Sequence, residues 1–184
     1  ALAASPFLEV YREKGIEVLI MDDDIDEIVL PTVGRYKDVE LKPVNRSDAG
    51  EDLKTKEDKK KETEAKPVVE KIKKALGDAV KDVKLSVRLA DSPSCIVLDE
   101  HDPSLKMQEM LKAMGQKELP EIKPILEINP DHPIVTRLKA IEDDAEIEDV
   151  SYLLYEQALL VEGIDLKEPA GFVKRLNRVL EKSL

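Results

Sequence analysis

Residues 47–66 constrain the fold more than any other stretch. Thirteen of these 20 residues are charged, seven acidic and six basic, and Leu53 is the only sizeable hydrophobe. Such a segment cannot bury enough apolar surface to offset the entropy of ordering as core. It reads as a solvated helix, a hinge or a flexible linker. The core must therefore come from the chain on either side, and the 184 residues suit one domain or one domain with an appendage.

On the N-terminal side, residues 6–14 read as a short helix, with Ser5 as cap and Pro6 at its first position. Residues 16–20 (Ile-Glu-Val-Leu-Ile) fit a strand buried on both faces. Residues 24–33 look helical, with Ile25, Ile28 and Val29 on one face and Pro31 expected to end or kink the helix. Residues 39–41 suggest a short strand.

Beyond the charged stretch, a helix continues or restarts at Pro67 and runs to Leu76, with Gly77 placed to cap it. Residues 83–89 alternate strictly: Val83, Leu85, Val87 and Leu89 against Lys84, Ser86 and Arg88. That is a strand with one wet face. Residues 95–98 form another strand. Asp102-Pro103 opens a helix that ends at Met114-Gly115. Asn129-Pro130-Asp131-His132-Pro133 is turn and cap chemistry, followed by a helix over 134–141. Residues 142–149 suggest a loop with a helix start.

The last 35 residues differ again. Residues 150–161 are apolar nearly all round, with Val150, Leu153, Leu154, Ala158 and Val161 on one face. A helix of that kind is buried on more than one side. After Gly163, Glu168-Pro169 opens an amphipathic helix carrying Phe172, Val173, Leu176, Val179 and Leu180. Burying those five is worth roughly 8–15 kcal/mol as an upper bound. Association costs on the order of 4–15 kcal/mol. One helix per subunit would break even; two per subunit, packed as a four-helix bundle across a two-fold axis, would hold a dimer.

Composition excludes several classes of function. Lysine plus arginine number 29 and aspartate plus glutamate 40, a net charge of −11. That balance opposes nucleic-acid or anionic-membrane partners. Aromatics are 3 % with no tryptophan, so the core is aliphatic. The single Cys95 excludes an intramolecular disulfide, and its apolar neighbours read as a small buried hydrophobe. No apolar run reaches the roughly 20 residues of a membrane span, and a cytoplasmic location is expected. The chain starts at Ala1 rather than Met and reads as a fragment of a longer one.

No catalytic constellation assembles. The chain has no Gly-rich phosphate loop, nucleophile elbow or HExxH motif. Asp22, Asp23, Asp24 and Asp26 lack the glycine and distal glutamate of a calcium loop, and read as negative charge at a helix start. A rival reading makes them, with His101 or His132, the site of a small-molecule- or metal-binding α/β enzyme domain. Both histidines sit in turn-like contexts that favour loop polarity and capping. A more distinctive feature is Met107, Met110, Leu111 and Met114 at i, i+3, i+4 and i+7. The ordinary reading is a core-facing stripe; the alternative is an adaptable apolar surface, for which methionine is suited.

Several motifs in order resemble the heat-shock protein 90 chaperone family. They are Ser-Pro-Phe-Leu-Glu (residues 5–9), Lys-Gly-Ile-Glu-Val-Leu (14–19), Asp-Ile-Asp-Glu (24–27), and Arg88-Leu89 with Ser-Pro-Ser-Cys-Ile-Val (92–97). Leu-Glu-Ile-Asn-Pro-Asp-His-Pro-Ile-Val (126–135) is the most specific, and Ala158-Leu159-Leu160 before Gly163 completes the series. The chain is most similar to the C-terminal dimerisation domain of bacterial members. The resemblance implies an α/β fold: a small mixed sheet flanked by helices over residues 1–146, and dimerisation helices over 147–184 that form the intersubunit bundle. It implies homodimerisation of an ATP-driven chaperone, with Met107, Met110, Leu111 and Met114 contacting non-native client proteins. It also implies that ATP, magnesium and the catalytic residues belong to parts of the longer protein outside this chain. The ending Glu-Lys-Ser-Leu departs from the acidic tail of cytosolic eukaryotic members, which puts co-chaperone docking there in doubt.

Overall fold

The computed structural model describes residues 4–21, 23, 25–50, 53–99, 102–103, 108 and 122–183. The chain enters through a 3-10 turn, Pro6–Leu8, that runs into helix α1 (Glu9–Glu13). Ser5 accepts the Phe7 N–H at 3.4 Å, the cap that its position before Pro6 suggests. Gly15 then takes a left-handed φ of 64°, which turns the chain out of the helix.

Residues 16–21 follow in extended form but make no strand. Leu19 is 66 % exposed, and Ile16, Ile20 and Met21 are exposed too. The doubly buried strand expected here is absent because no strand among the described residues lies beside it. Helix α2 (Asp26–Val33) passes through Pro31 rather than ending there. It stops at Gly34, whose φ of 58° only glycine adopts readily. Strands β1 (Arg35–Tyr36) and β2 (Val39–Glu40) pair antiparallel around Lys37 and Asp38, both left-handed. Two consecutive positive φ values are those of the primed turn that matches hairpin twist.

The charged stretch resolves into the start of one long helix, α3 (Lys56–Leu76). Thr55 accepts the Asp58 N–H, and the Asp58 carboxylate accepts the Thr55 N–H at 2.6 Å, a reciprocal capping box. The helix runs on through Pro67. Ala65, Val68, Ile72 and Leu76 recur on its buried face. The highly charged first half is thus the solvated lead-in to an amphipathic second half.

The central sheet has strand order β3 (Asp82–Leu85), β5 (Ile125–Ile128), β4 (Ser94–Val97). β3 runs parallel and β4 antiparallel to β5, with Val83 and Ile96 both opposite Leu126. The alternation after Leu85 does not continue the strand. Residues 86–93 leave the sheet as a loop, and Ser86 and Arg88, expected on the wet face, are buried.

Two-residue periodicity divides β5 between two cores. Leu126 and Ile128 join Ile96 in the main cluster, with the apolar faces of α3 and α5 (Asp144–Val161). Ile125 faces Phe7, Leu89, Cys95 and Val97 on the other side. Cys95 is fully enclosed, and burial pushes its thiol pKa well up, so it behaves as the buried hydrophobe expected.

Asn129 holds the turn that follows β5. Its side chain accepts the Asp131 N–H and donates to the carbonyls of Ala90 and Ser92. His132 caps α4 (Pro133–Leu138) by accepting the Ile134 N–H at its Nδ1, 3.2 Å away. That helix ends at Leu138, short of Ile141. α5 starts earlier than residue 150, because Asp143 accepts the Ala145 N–H and caps it there. The last helix is α6 (Pro169–Ser183). The fold is mixed α/β, small sheets flanked by helices, closed by a C-terminal helical pair.

Candidate interaction surface

Three basic residues of α6 make ion pairs along the facing edge of α5 and its cap, Lys182 reaching Asp143 at 3.6 Å as well as Glu146. Arg175 grips Glu156 through two nitrogens, Nε lying 3.1 Å from Oε2, and stacks 4.9 Å from the Tyr152 ring centroid. Arg178 binds Asp149 the same way, with Nε 2.7 Å from Oδ2. Lys182 reaches Glu146 at 2.6 Å. The partners run in opposite order along the two helices, so the helices are antiparallel. The Arg178 hydrogen bond holds the Asp149 carboxyl below its usual pKa. Gly163, with a φ of 73°, makes the turn between the helices, and the Ile164 N–H bonds the Leu159 carbonyl at 3.0 Å.

These contacts sort the ten residues that the sequence assigns to an interface. Val150, Leu154 and Ala158 are buried in the main cluster of their own chain. Leu153, Phe172 and Val179 are half-buried, Val179 against that cluster. Val161, Val173, Leu176 and Leu180 stay exposed, Val173 at 51 % and Leu180 at 48 %. At about 100° per residue, Val173, Leu176 and Leu180 fall on the side of α6 away from Arg175, Arg178 and Lys182. Leu160 and Val161 are also exposed at the end of α5. Leu160 was not among the ten. Its all-apolar surroundings gave no face by which to separate it from the core.

The arrangement can do one thing chemically: offer aliphatic surface. Isolated exposed hydrophobes are ordinary, but Val173, Leu176 and Leu180 lie together on one face of α6, opposite its ion-paired face, and make a candidate contact site. Met107, Met110, Leu111 and Met114 lie outside the described residues.

The rival enzyme site does not assemble among the described residues. Asp22, Asp24 and His101 lie outside them. Asp23 donates its N–H to Asp26 Oδ2 at 3.1 Å beside the start of α2. His132 is engaged as a helix cap. No group of three or more His, Cys, Asp or Glu side chains is placed to hold a metal among the described residues, and no helix there is long and apolar enough to cross a membrane.

One cluster escaped the sequence reading. Arg88 (1 % exposed) and Glu127 (4 % exposed) are paired inside the molecule. Arg88 Nη2 donates to Glu127 Oε1 at 3.0 Å, and Ser86 donates its hydroxyl to Oε2 at 2.9 Å. Arg88 Nε lies 2.9 Å from Oε2 with its N–H aimed aside, so that contact is electrostatic rather than a hydrogen bond. A glutamate amid the apolar run Ile-Leu-Glu-Ile was the available signal.

The sequence model of the Hsp90 protein family matches residues 1–184. The chaperone protein HtpG of Treponema denticola is 57 % identical over 183 residues, covering 97 % of this chain and 29 % of that protein. HtpG of Treponema pallidum is 46 % identical, covering 98 % of this chain and 29 % of its own length. HtpG of Wolinella succinogenes is 45 % identical, covering 100 % and 30 %. The chain therefore spans about three-tenths of the length of the curated relatives it matches.

Proposed function

The chain belongs to the heat-shock protein 90 family, and on that premise we propose that it is the homodimerisation region of a chaperone. The supporting observation is the apolar stripe Val173, Leu176 and Leu180 on α6, left uncovered in the single chain, with Leu160 and Val161 also uncovered at the end of α5. α5 is anchored in the body by Val150, Leu154 and Ala158, and α6 is clamped to α5 by its ion pairs. The stripe is therefore presented on a supported surface. A second copy related by a two-fold axis would lay the same stripe against it and form a four-helix bundle.

In this reading the chain contributes no catalytic, cofactor or metal residue. ATP and magnesium act elsewhere in the longer protein, in the cytoplasm. The partners are a second copy and non-native clients, with no nucleic acid or membrane. Clients are met by Met107, Met110, Leu111 and Met114, whose flexible thioethers and aliphatic chain adapt to many apolar shapes.

Light scattering tests the dimer. The chain should show twice 20.7 kDa at micromolar concentration, and the Val173→Asp, Leu176→Asp, Leu180→Asp variant should be a folded monomer. A monomeric parent at that concentration overturns the proposal. These substitutions are cleaner than truncation within α5, which would take Leu154 and Ala158 out of the core. For the clients, Met107→Ser with Met110→Ser in the longer protein should weaken suppression of aggregation without changing dimer mass. Unchanged suppression removes that part of the reading.

A further inference from the structure

The residues before α3 are held to the rest of the molecule differently from everything after it. The main apolar cluster, as described, begins at Ala65. The described residues before it share only two small clusters with the rest: Val10, Tyr11 and Leu53 pack with Val87 and Ala90, and Phe7 and Val44 pack with Leu89, Cys95, Val97 and Ile125 under the other face of the sheet. They are also tied to one another, Tyr11 Oη donating to the Ala49 carbonyl at 3.0 Å and Lys14 Nζ to the Leu53 carbonyl at 3.2 Å.

The attachments of this unit converge on loop 86–93. The Glu9 carboxylate accepts the N–H groups of Ala90, Asp91 and Ser92 at 2.7–3.1 Å, and the Ser92 hydroxyl. The Val10 N–H donates to the Arg88 carbonyl at 3.1 Å. The Arg88 guanidinium donates to the carbonyl of Val44 and, at 3.0 Å, to that of Arg46. Gly50 closes over it: a Cβ there would stand 2.7 Å from Val87 Cγ2 and 3.3 Å from Arg88 Nη2. The remaining reach of Arg88 is to Glu127, in the middle of the sheet. Backbone bonds between residues 45–47 and Leu98 add a second, shorter seam.

A buried ion pair is a weak source of net stability, since two apolar side chains of similar size often serve as well. What this pair supplies is position, because a single guanidinium spans three acceptors on two parts of the molecule. We infer that Arg88 and Glu127 form a latch that fastens residues 5–15 and 44–50, with Leu53, to the sheet as one unit, able to open while the sheet and α3–α6 stay folded. A segment that shares only two small apolar clusters and a polar seam with the sheet, apart from the main cluster, has few buried contacts to break and is the construction expected of a unit that opens below the global unfolding limit. The inference is independent of the dimer reading, since neither the unit nor the latch includes any residue of the stripe.

Native-state hydrogen exchange on the whole chain tests it. Peptides covering residues 7–20 and 44–53 should exchange at least tenfold faster than those covering 68–76 and 147–160. Glu127→Gln keeps the shape and removes the charge. It should speed the first group at least another tenfold and leave the second unchanged. Equal acceleration of both groups, or none in the first, overturns the latch. If Glu127→Gln does not fold, Arg88→Lys, which keeps the charge but loses the planar fork, is measured with the same outcomes: selective acceleration supports the latch, and uniform or absent acceleration overturns it.

Discussion

Arg88 occupies a position that its local sequence marks as solvent-facing, and its burial sets what a substitution there would do. Arg88→Leu leaves the Glu127 carboxylate buried beside Ser86 with its cationic partner gone. Such a loss costs about 3–5 kcal/mol, to be read as a fall in the urea midpoint. Adding Glu127→Leu should recover most of it, because the stranded charge goes too. A double variant as unstable as the single one would show that the pair's contribution is packing rather than charge. Glu9 gives the pH counterpart. Partial burial raises its carboxyl pKa, but hydrogen bonds from Ser92, Ala90 and Asp91 outweigh that and leave it below the ordinary 4.5. A depressed folded value means the contribution is complete above pH 4.5 and is lost as pH falls through the folded value. The melting temperature of the parent should therefore drop more steeply between pH 5 and 3 than that of Glu9→Gln. Parallel curves would refute the assignment.

At the scale of elements, legibility followed local causes. α1, α4 and α6 were readable because Ser5, His132 and Pro169 sit at helix starts and their apolar residues recur at helical spacing. β4 was readable as a short apolar run. Residues 16–20 were misread because apolarity and β-branching show fitness for a strand, whereas a strand exists only beside another. The alternation through Leu89 misled for a related reason: period two locates a face, but only tertiary packing shows that Glu127 awaits Arg88 there. The exposed apolar stripe was legible only in part. Periodicity gave Val173, Leu176 and Leu180 one face, but it could not separate them from Leu154 and Ala158, which face inward. α3 resisted because charge density and Pro67 both argue against one continuous helix, while the Thr55–Asp58 capping box and the buried face from Ala65 to Leu76 support it. Each side of that balance is measurable. Thr55→Ala should lower stability by about 1 kcal/mol through the lost cap. Pro67→Ala, which restores an N–H to the helix interior, should raise it by up to about 3 kcal/mol. A destabilised Pro67→Ala would mean the proline sets a bend on which packing depends.

For the whole molecule, the consequence of a dimer lies in what it does to the rest of a longer chain. Joining two protomers at one end replaces a bimolecular encounter of their distant parts by an intramolecular one. Effective concentrations reach the millimolar range when the linkage spans the sites. The contribution of this region would then be tethering, and tethering is indifferent to the chemistry of the tether. That separates it from a reading in which the α6 stripe itself recognises clients. In the longer protein, Val173→Asp, Leu176→Asp and Leu180→Asp should reduce suppression of client aggregation per protomer, most strongly at nanomolar protein. Appending an unrelated parallel two-stranded coiled coil after the last residue should restore it without restoring the stripe. Recovery assigns the stripe to holding protomers together. If the appended variant is dimeric by light scattering yet stays inactive, tethering is not sufficient, and the apolar surface of α6 acts directly on what the chaperone binds.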